Sequence, residues 1–229
     1  MNRGESSDCV PQGAKHAIRG PSSSLLIATL GPSGSNHEFV AEEYSRSVGI
    51  NDKRIVLFED FAAAVAQLKS GGVDCLVQCA AHPDVGRTIG ANLSQIFVVD
   101  TFIAKSKPLA VLTRAEVEHP TSIGYHPATR EYVDLSNWTE HFEEQSTVRV
   151  AEGLLAGRYD CGIAALEVVK ANPGKLRVDG VIGSAQDAWL VYATRSVYSG
   201  KVIAWRHGPG AVLLRNMLAI RTKTQGKEK

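Results

Sequence analysis

A short stretch of this chain is written twice. Residues 66–77 read AQLKSGGVDCLV and residues 152–163 read EGLLAGRYDCGI. Laid over each other, Leu68 matches Leu154, Gly71 matches Gly157, Asp74 matches Asp160 and Cys75 matches Cys161. Each copy reads as the end of an apolar-striped helix, a glycine stop and a short strand. Upstream of each copy a strand runs into a Gly- or Pro-bearing turn and a helix start, IATLGPSGSNHEF near residue 30 and TSIGYHPATREYV near residue 125. Two similar α/β halves predict two lobes with a cleft between them, and clefts between lobes are where ligands bind. Strands alternating with helices predict parallel sheets, with the ligand beyond the carboxyl ends of the strands.

With 229 residues the chain can bury a core in each half. Its net charge of +1 leaves no basic stripe for nucleic acid. No stretch approaches the length of a membrane span, so no membrane partner is expected. Residues 1–24 are rich in Ser, Gly and Pro, lack the apolar core of a secretory signal and read as a disordered lead-in. The first lobe is expected to span residues 25–107 plus 187–221, the second 108–186, with a polar tail over 222–229. Cys75 and Cys161 fall in apolar runs and read as buried core residues, while Cys9 and Cys79 complete the set of four. No cysteine pair has zinc spacing and nothing forms a disulfide framework, which predicts no metal and a cytoplasmic location.

Strands are expected at 25–30, 54–58, 73–78, 95–99, 109–112, 122–125, 159–164 and 189–193, with residues 100–108 as the crossing into the second lobe. Ser35 stands three residues before Glu38, a capping-box spacing that opens a helix over 36–47. Pro127 suits a first helical position, Ser146 and Thr147 can cap the helix that follows, and a closing helix is expected over 212–220. Three turns therefore face the cleft, at residues 33–37, 125–129 and 145–147. Each offers unpaired N–H groups and the positive end of a helix dipole, which suits a ligand with carboxylates at both ends. Gly31-Pro32-Ser33-Gly34 is neither a P-loop nor a dinucleotide fingerprint, so neither ATP nor NAD is expected, and no cofactor is called for. His37, His82 and His126 all sit on the predicted ligand edge, where an imidazole suits proton transfer. His16, His119, His141 and His207 read as surface residues.

The string LGPSGSNHEFVAE resembles the opening of prephenate dehydratases, roughly LGPEGTFSHQAA. The resemblance continues in order over roughly residues 25–195. Residues 73–78 match the strand before the family's Glu-Asn-Ser loop, and GYHPATREYV is similar to its Ser-His-Pro-Gln helix start. QSTVRVAEGLLAGRYDCGIAAL resembles its Ser-Thr-Ala segment and the following Ala-Ala-Ile strand, and IGSAQDAWLVYA falls at its last site segment. The fold this implies is the two-lobed α/β type II periplasmic-binding-protein fold. The family's Thr-Arg-Phe motif is missing, replaced by Ala188-Trp189-Leu190, and its Glu-Asn-Ser by Cys79-Ala80-Ala81-His82. A dehydratase stripped of Thr-Arg-Phe resembles the prephenate decarboxylase subgroup of bacilysin-type antibiotic pathways, and Trp189 could match a Trp near that subgroup's last site segment.

The resemblance implies a lyase acting on prephenate or a related cyclic dicarboxylate. Losing CO2 together with hydroxide gives an aromatic ring, whereas losing CO2 with proton delivery to a ring carbon gives a non-aromatic product. The expectation is the second, a decarboxylase of secondary metabolism. The alternatives are a dehydratase giving phenylpyruvate, a lyase for another cyclic acid such as chorismate, and a non-catalytic binding protein for a small carboxylate. Ser33, Gly34, Ser35 and Asn36 are expected to hold one carboxylate. Thr129, Ser146 and Thr147, with Arg130, are expected to hold the other, and Trp189 to touch the ligand. His37, His82 or His126 supplies the proton, His82 being preferred. A homodimer is compatible with this reading, but the sequence sets no oligomeric state.

Overall fold

The structure is a computed structural model and describes residues 24–205 and 207–225. The expected lead-in, except for Ser24, lies outside the described residues, as do Cys9, His16 and the tail beyond Gln225. The first half supplies β1 (Leu25–Leu30), β2 (Lys53–Phe58), β3 (Cys75–Cys79) and β4 (Phe97–Lys105). The second supplies β5 (Leu109–Arg114), β6 (Ser122–Tyr125), β7 (Glu140–Glu143), β8 (Cys161–Ala165) and β9 (Leu176–Gly183), and then β10 (Gln186–Ala193) returns to the first sheet. The two five-stranded sheets have the orders β2-β1-β3-β10-β4 and β7-β6-β8-β5-β9. In each, four strands run parallel and the fourth in the order, β10 or β5, runs antiparallel to the rest. The helices are α1 (Asn36–Ser47), α2 (Phe61–Lys69), α3 (Val85–Gly90), α4 (Thr147–Leu155) and α5 (Glu167–Ala171).

The residues written twice have matching roles in both sheets. Leu68 and Leu154 are fully buried on α2 and α4, and Gly71 and Gly157 take the left-handed conformation just past each helix, at φ of 76° and 75°. The Asp74 carboxylate accepts the N–H of Leu26 at 2.7 Å, and that of Asp160 accepts those of Thr121 and Ser122 at 2.8 and 3.2 Å. Each aspartate thus ties the lead-in to β3 or β8 onto the start of the neighbouring parallel strand, β1 or β6. Burial alone would raise the Asp160 carboxyl, but the hydrogen bonds from Thr121 and Ser122 outweigh it and hold the group below its ordinary range.

Helix α4 is seated by a glycine cradle. The Tyr159 ring is buried against Gly124 of β6 and Gly153 of α4, where an added Cβ would stand 2.4 Å from the ring and 2.2 Å from its hydroxyl. That hydroxyl donates to the Val150 carbonyl at 2.8 Å. A glycine inside a helix costs about 1 kcal/mol, and the close approach it permits accounts for Gly153. Gly124→Ala must push the ring off α4 and is expected to lower stability by about 2 kcal/mol, read as a lower denaturant midpoint.

Three expectations change in detail. Residues 100–105 are strand, not crossing, because β4 runs to Lys105 and pairs with β10 from Phe97↔Ala193 to Lys105↔Gln186. Its polar Asp100, Thr101 and Lys105 hide the strand pattern. The crossing is residues 106–108, laced to the return crossing by Ser106 N–H to Ala185 O and Ala185 N–H to Ser106 Oγ, both 2.9 Å. Strand β7 is exposed along its length and carries no apolar alternation to betray it. From Val197 onward the chain forms a separate unit whose helix α6 spans Pro209–Gln225, longer than expected. Among the described residues no helix is long and apolar enough to cross a membrane.

Candidate functional site

A cleft of about 820 Å³, open to solvent, lies between the two sheets. The first lobe contributes Ser35, Asn36 and His37 from the start of α1, with Cys79 and His82 from the end of β3 and the loop after it. The second contributes His126, Thr129, Tyr132, Gln145, Ser146 and Thr147, the crossing between lobes contributes Ser106 and Lys107, and the start of β10 contributes Asp187.

Helix α1 begins here because Ser35 caps it. Its Oγ accepts the Glu38 N–H at 3.1 Å and donates to the Leu30 carbonyl at 2.9 Å. Glu38 reaches back to the Gly34 N–H at 2.6 Å and the Ser33 hydroxyl at 3.2 Å. The donors of Ser33 and Gly34 are thereby occupied, and neither residue lines the cleft. The first-turn N–H groups of Asn36 and His37 have no partner inside the helix and remain for a ligand. In the second lobe Ser146 caps α4 through the Arg149 N–H at 3.1 Å, which leaves its hydroxyl proton available. The start at His126-Pro127 is a 3-10 turn, Pro127–Tyr132, in which Thr129 donates to the His126 carbonyl at 2.8 Å. Arg130 does not line the cleft; it is exposed and pairs loosely with Glu131. Trp189 is fully buried in the first lobe's core, behind the cleft lining, with its ring 5.1 Å from that of His37.

The three histidines form a chain, His37 to His82 at 5.7 Å and His82 to His126 at 6.2 Å between ring centroids. Burial, with His82 and His126 beside it, pushes His37 down to about 3. Its Nε2 is sealed from solvent with no hydrogen-bond partner. Burial lowers His82, against a smaller opposing pull from Asp84. Burial and the neighbouring His82 bring His126 to about 4. All three are neutral near pH 7. The Asp84 N–H donates to His82 Nδ1 at 3.1 Å and the Ala128 N–H to His126 Nδ1 at 3.2 Å. The single proton of each of these two rings therefore sits on Nε2, and both are hydrogen-bond donors. Among the described residues no group of three His, Cys, Asp or Glu side chains is arranged to hold a metal.

Sequence reasoning passed over Lys107 and Asp187, whose signal is only their place at one crossing and beside the other. The Lys107 N–H donates to Asn36 Oδ1 at 2.9 Å, and its ammonium reaches the Gly34 carbonyl at 2.8 Å and Glu167 of the second lobe at 2.7 Å. It is the one cation lining the cleft among the described residues. Lys107→Met keeps the backbone bond to Asn36 but loses the ammonium's bonds to Gly34 and Glu167, and is expected to lower affinity for an anionic ligand about tenfold while removing only about 1 kcal/mol of stability. Calorimetric titration and denaturant melts measure the two. The Asp187 carboxyl is half-buried, and burial raises it above its ordinary range.

Neither the models of known protein families nor the curated protein sequences match this chain. Solved structures do. It superposes on prephenate dehydratase from Arthrobacter aurescens, crystallised with L-Phe, at a TM-score of 0.57 and 18% identity over 82% of this chain and 70% of that one. It superposes on prephenate dehydratase from Staphylococcus aureus at a TM-score of 0.50 and 10% identity over 86% of this chain and 80% of that one. The periplasmic VFT2 domain of Bordetella pertussis BvgS follows at 0.47 and 13% over 75% and 80%. At these identities the dehydratase likeness carries the fold, and the chain is a two-lobed α/β protein of the type II periplasmic-binding-protein kind with its cleft between the lobes.

Proposed function

We propose that the cleft binds a small cyclic dicarboxylate and that the protein is a lyase of secondary metabolism, removing CO2 from prephenate or a close relative without making an aromatic ring. One observation carries this reading: two helix starts from opposite lobes, α1 behind Ser35 and α4 behind Ser146, converge on one cleft. Each presents N–H groups to an anion. The Nε2–H groups of His82 and His126 and the free Thr147 hydroxyl add donors around them. Where the dehydratases carry Thr-Arg-Phe, β10 carries Ala188-Trp189-Leu190, and Trp189 is turned into the core. The hydroxyl that the dehydratases' Thr supplies is missing from this stretch, which favours decarboxylation over dehydration. The free thiols of Cys75, Cys79 and Cys161 suit a reducing compartment.

Incubation with prephenate, followed by ultraviolet spectra, mass and NMR, tests the reading. Loss of prephenate to a non-aromatic product of lower mass by CO2 supports it. Phenylpyruvate makes the protein a dehydratase, and thermal stabilisation by prephenate without turnover makes it a binding protein.

A further inference from the structure

We propose that Asp187 is the catalytic acid of this cleft, handing its carboxyl proton to a ring carbon of the bound dicarboxylate as CO2 departs. The proposal deepens the lyase reading and rests on it. A decarboxylation that stops short of an aromatic ring needs an acid close to the ring. The free cleft holds few groups fit for it. In the free cleft His82 and His126 each hold their one proton on Nε2 of a neutral imidazole, a good donor but a poor acid, and a ring that the ligand charges is paired with the carboxylate that charges it. The Nε2 of His37 is sealed from solvent, and the Lys107 ammonium is engaged by Gly34 and Glu167. Asp187 is the only carboxyl among the lining residues described.

Its setting suits the task. Asp187 stands on β10, where its neighbour Ala188 accepts the Ala80 N–H at 2.8 Å and its own register partner is Ala104 of β4. Two residues further back, Ala185 is tied to Ser106. The carboxyl thus rides on a backbone held from both sides and at the hinge, a rigid platform for a reacting group. Among the described residues no cation pairs with it and no hydrogen bond reaches it. The titratable groups around it are the Cys79 thiol and the Tyr132 hydroxyl, with Lys107, His37, His82 and His126 elsewhere on the cleft lining. Half-burial without a counter-charge disfavours its ionised form, and a bound dianion disfavours it further. The step balances. The bond from ring carbon to carboxylate breaks, its electron pair shifts through the ring alkene, and the far alkene carbon takes the Asp187 proton. Asp187 is left as a carboxylate, which a proton from water restores.

Carbon-13 NMR of the ligand-free protein, together with prephenate binding and turnover of the wild type, Asp187→Asn and Asp187→Glu, tests this. In the wild type the Asp187 carboxyl is expected to titrate above the ordinary value of about 3.9. Asp187→Asn is expected to bind prephenate within about threefold of wild type while turnover falls by about 100-fold or more, with Asp187→Glu recovering part of it. Turnover should decline on the alkaline side in the wild type. If Asp187→Asn turns prephenate over at the wild-type rate, or Asp187 titrates at or below the ordinary value, the acid is another group and the lyase reading stands. If the wild type itself binds prephenate without consuming it, the lyase reading fails and the role of Asp187 falls with it.

Discussion

Lowering the pH from about 6.5 to about 4 is expected to remove about 3 kcal/mol of folding stability through His37 alone, at about 1.4 kcal/mol per pH unit. The folded protein holds this imidazole neutral down to about 3, through burial first and the neighbouring His82 and His126 second, while the unfolded chain protonates it near 6.5. Between those values the unfolded state binds the extra proton, so stability is complete above 6.5 and drains away as pH falls. His126, lowered to about 4, works in the same direction, and the raised carboxyl of Asp187 works against it. His37→Phe isolates the effect. The ring already packs edge-on against Phe61 and Trp189, and its Nε2 has no partner to lose. At pH 7 the variant should therefore stay within about 1 kcal/mol of wild type. At low pH it should be the more stable of the two, as denaturant melts at both pH values would reveal. Equal acid loss in both proteins would show that His37 is not held neutral by the fold.

Much of this fold is legible in the sequence because its local signals agree with its packing. Ser35 and Glu38 announce a capped helix, and the cap forms, with Glu38 reaching one residue further back than a capping box requires. The doubled Gly-x-x-Asp-Cys pattern announces a duplicated unit, and the aspartates hold the starts of β1 and β6, the equivalent strands of the two sheets. Legibility fails where neighbours decide the structure. Nothing in Glu140–Glu143 marks a strand, since β7 exists only as an edge paired to β6. The candidate site shows the same division. Turns bring Ser35, His37, His82, His126 and Thr147 to one cleft, while Glu38 consumes the donors of Ser33 and Gly34. Lys107 and Asp187 reach the cleft only because two crossings, far apart in sequence, are laced together at Ser106 and Ala185.

Binding of prephenate, under the proposed function, is expected to take up about one proton near pH 6, with affinity falling up to tenfold for each pH unit added over the linked range. The reason is a mismatch of charge. The cleft offers a twice-negative ligand one lining cation, Lys107, already shared between Gly34 and Glu167. Helix starts and neutral imidazoles must supply the rest. In the free protein burial, with the neighbouring His82 beside it, brings His126 down to about 4, and its Nδ1 accepts a hydrogen bond from the Ala128 N–H. A carboxylate about 4 Å from the ring attracts its cationic form by about 4 kcal/mol near a protein surface, enough to move a titration by about three pH units. Giving up the hydrogen bond at Nδ1, about 1 kcal/mol, takes back part of that shift, and the net attraction carries His126 up towards pH 6. The same ligand raises the Asp187 carboxyl further, and whatever fraction of it is ionised in the free protein adds to the uptake. Calorimetric titrations in two buffers of different ionisation enthalpy count the protons directly. His126→Gln should reduce the number and flatten the pH dependence of affinity while keeping a donor in place. An uptake of zero would mean that the helix N–H groups hold both carboxylates unaided, with the histidines remaining neutral donors throughout.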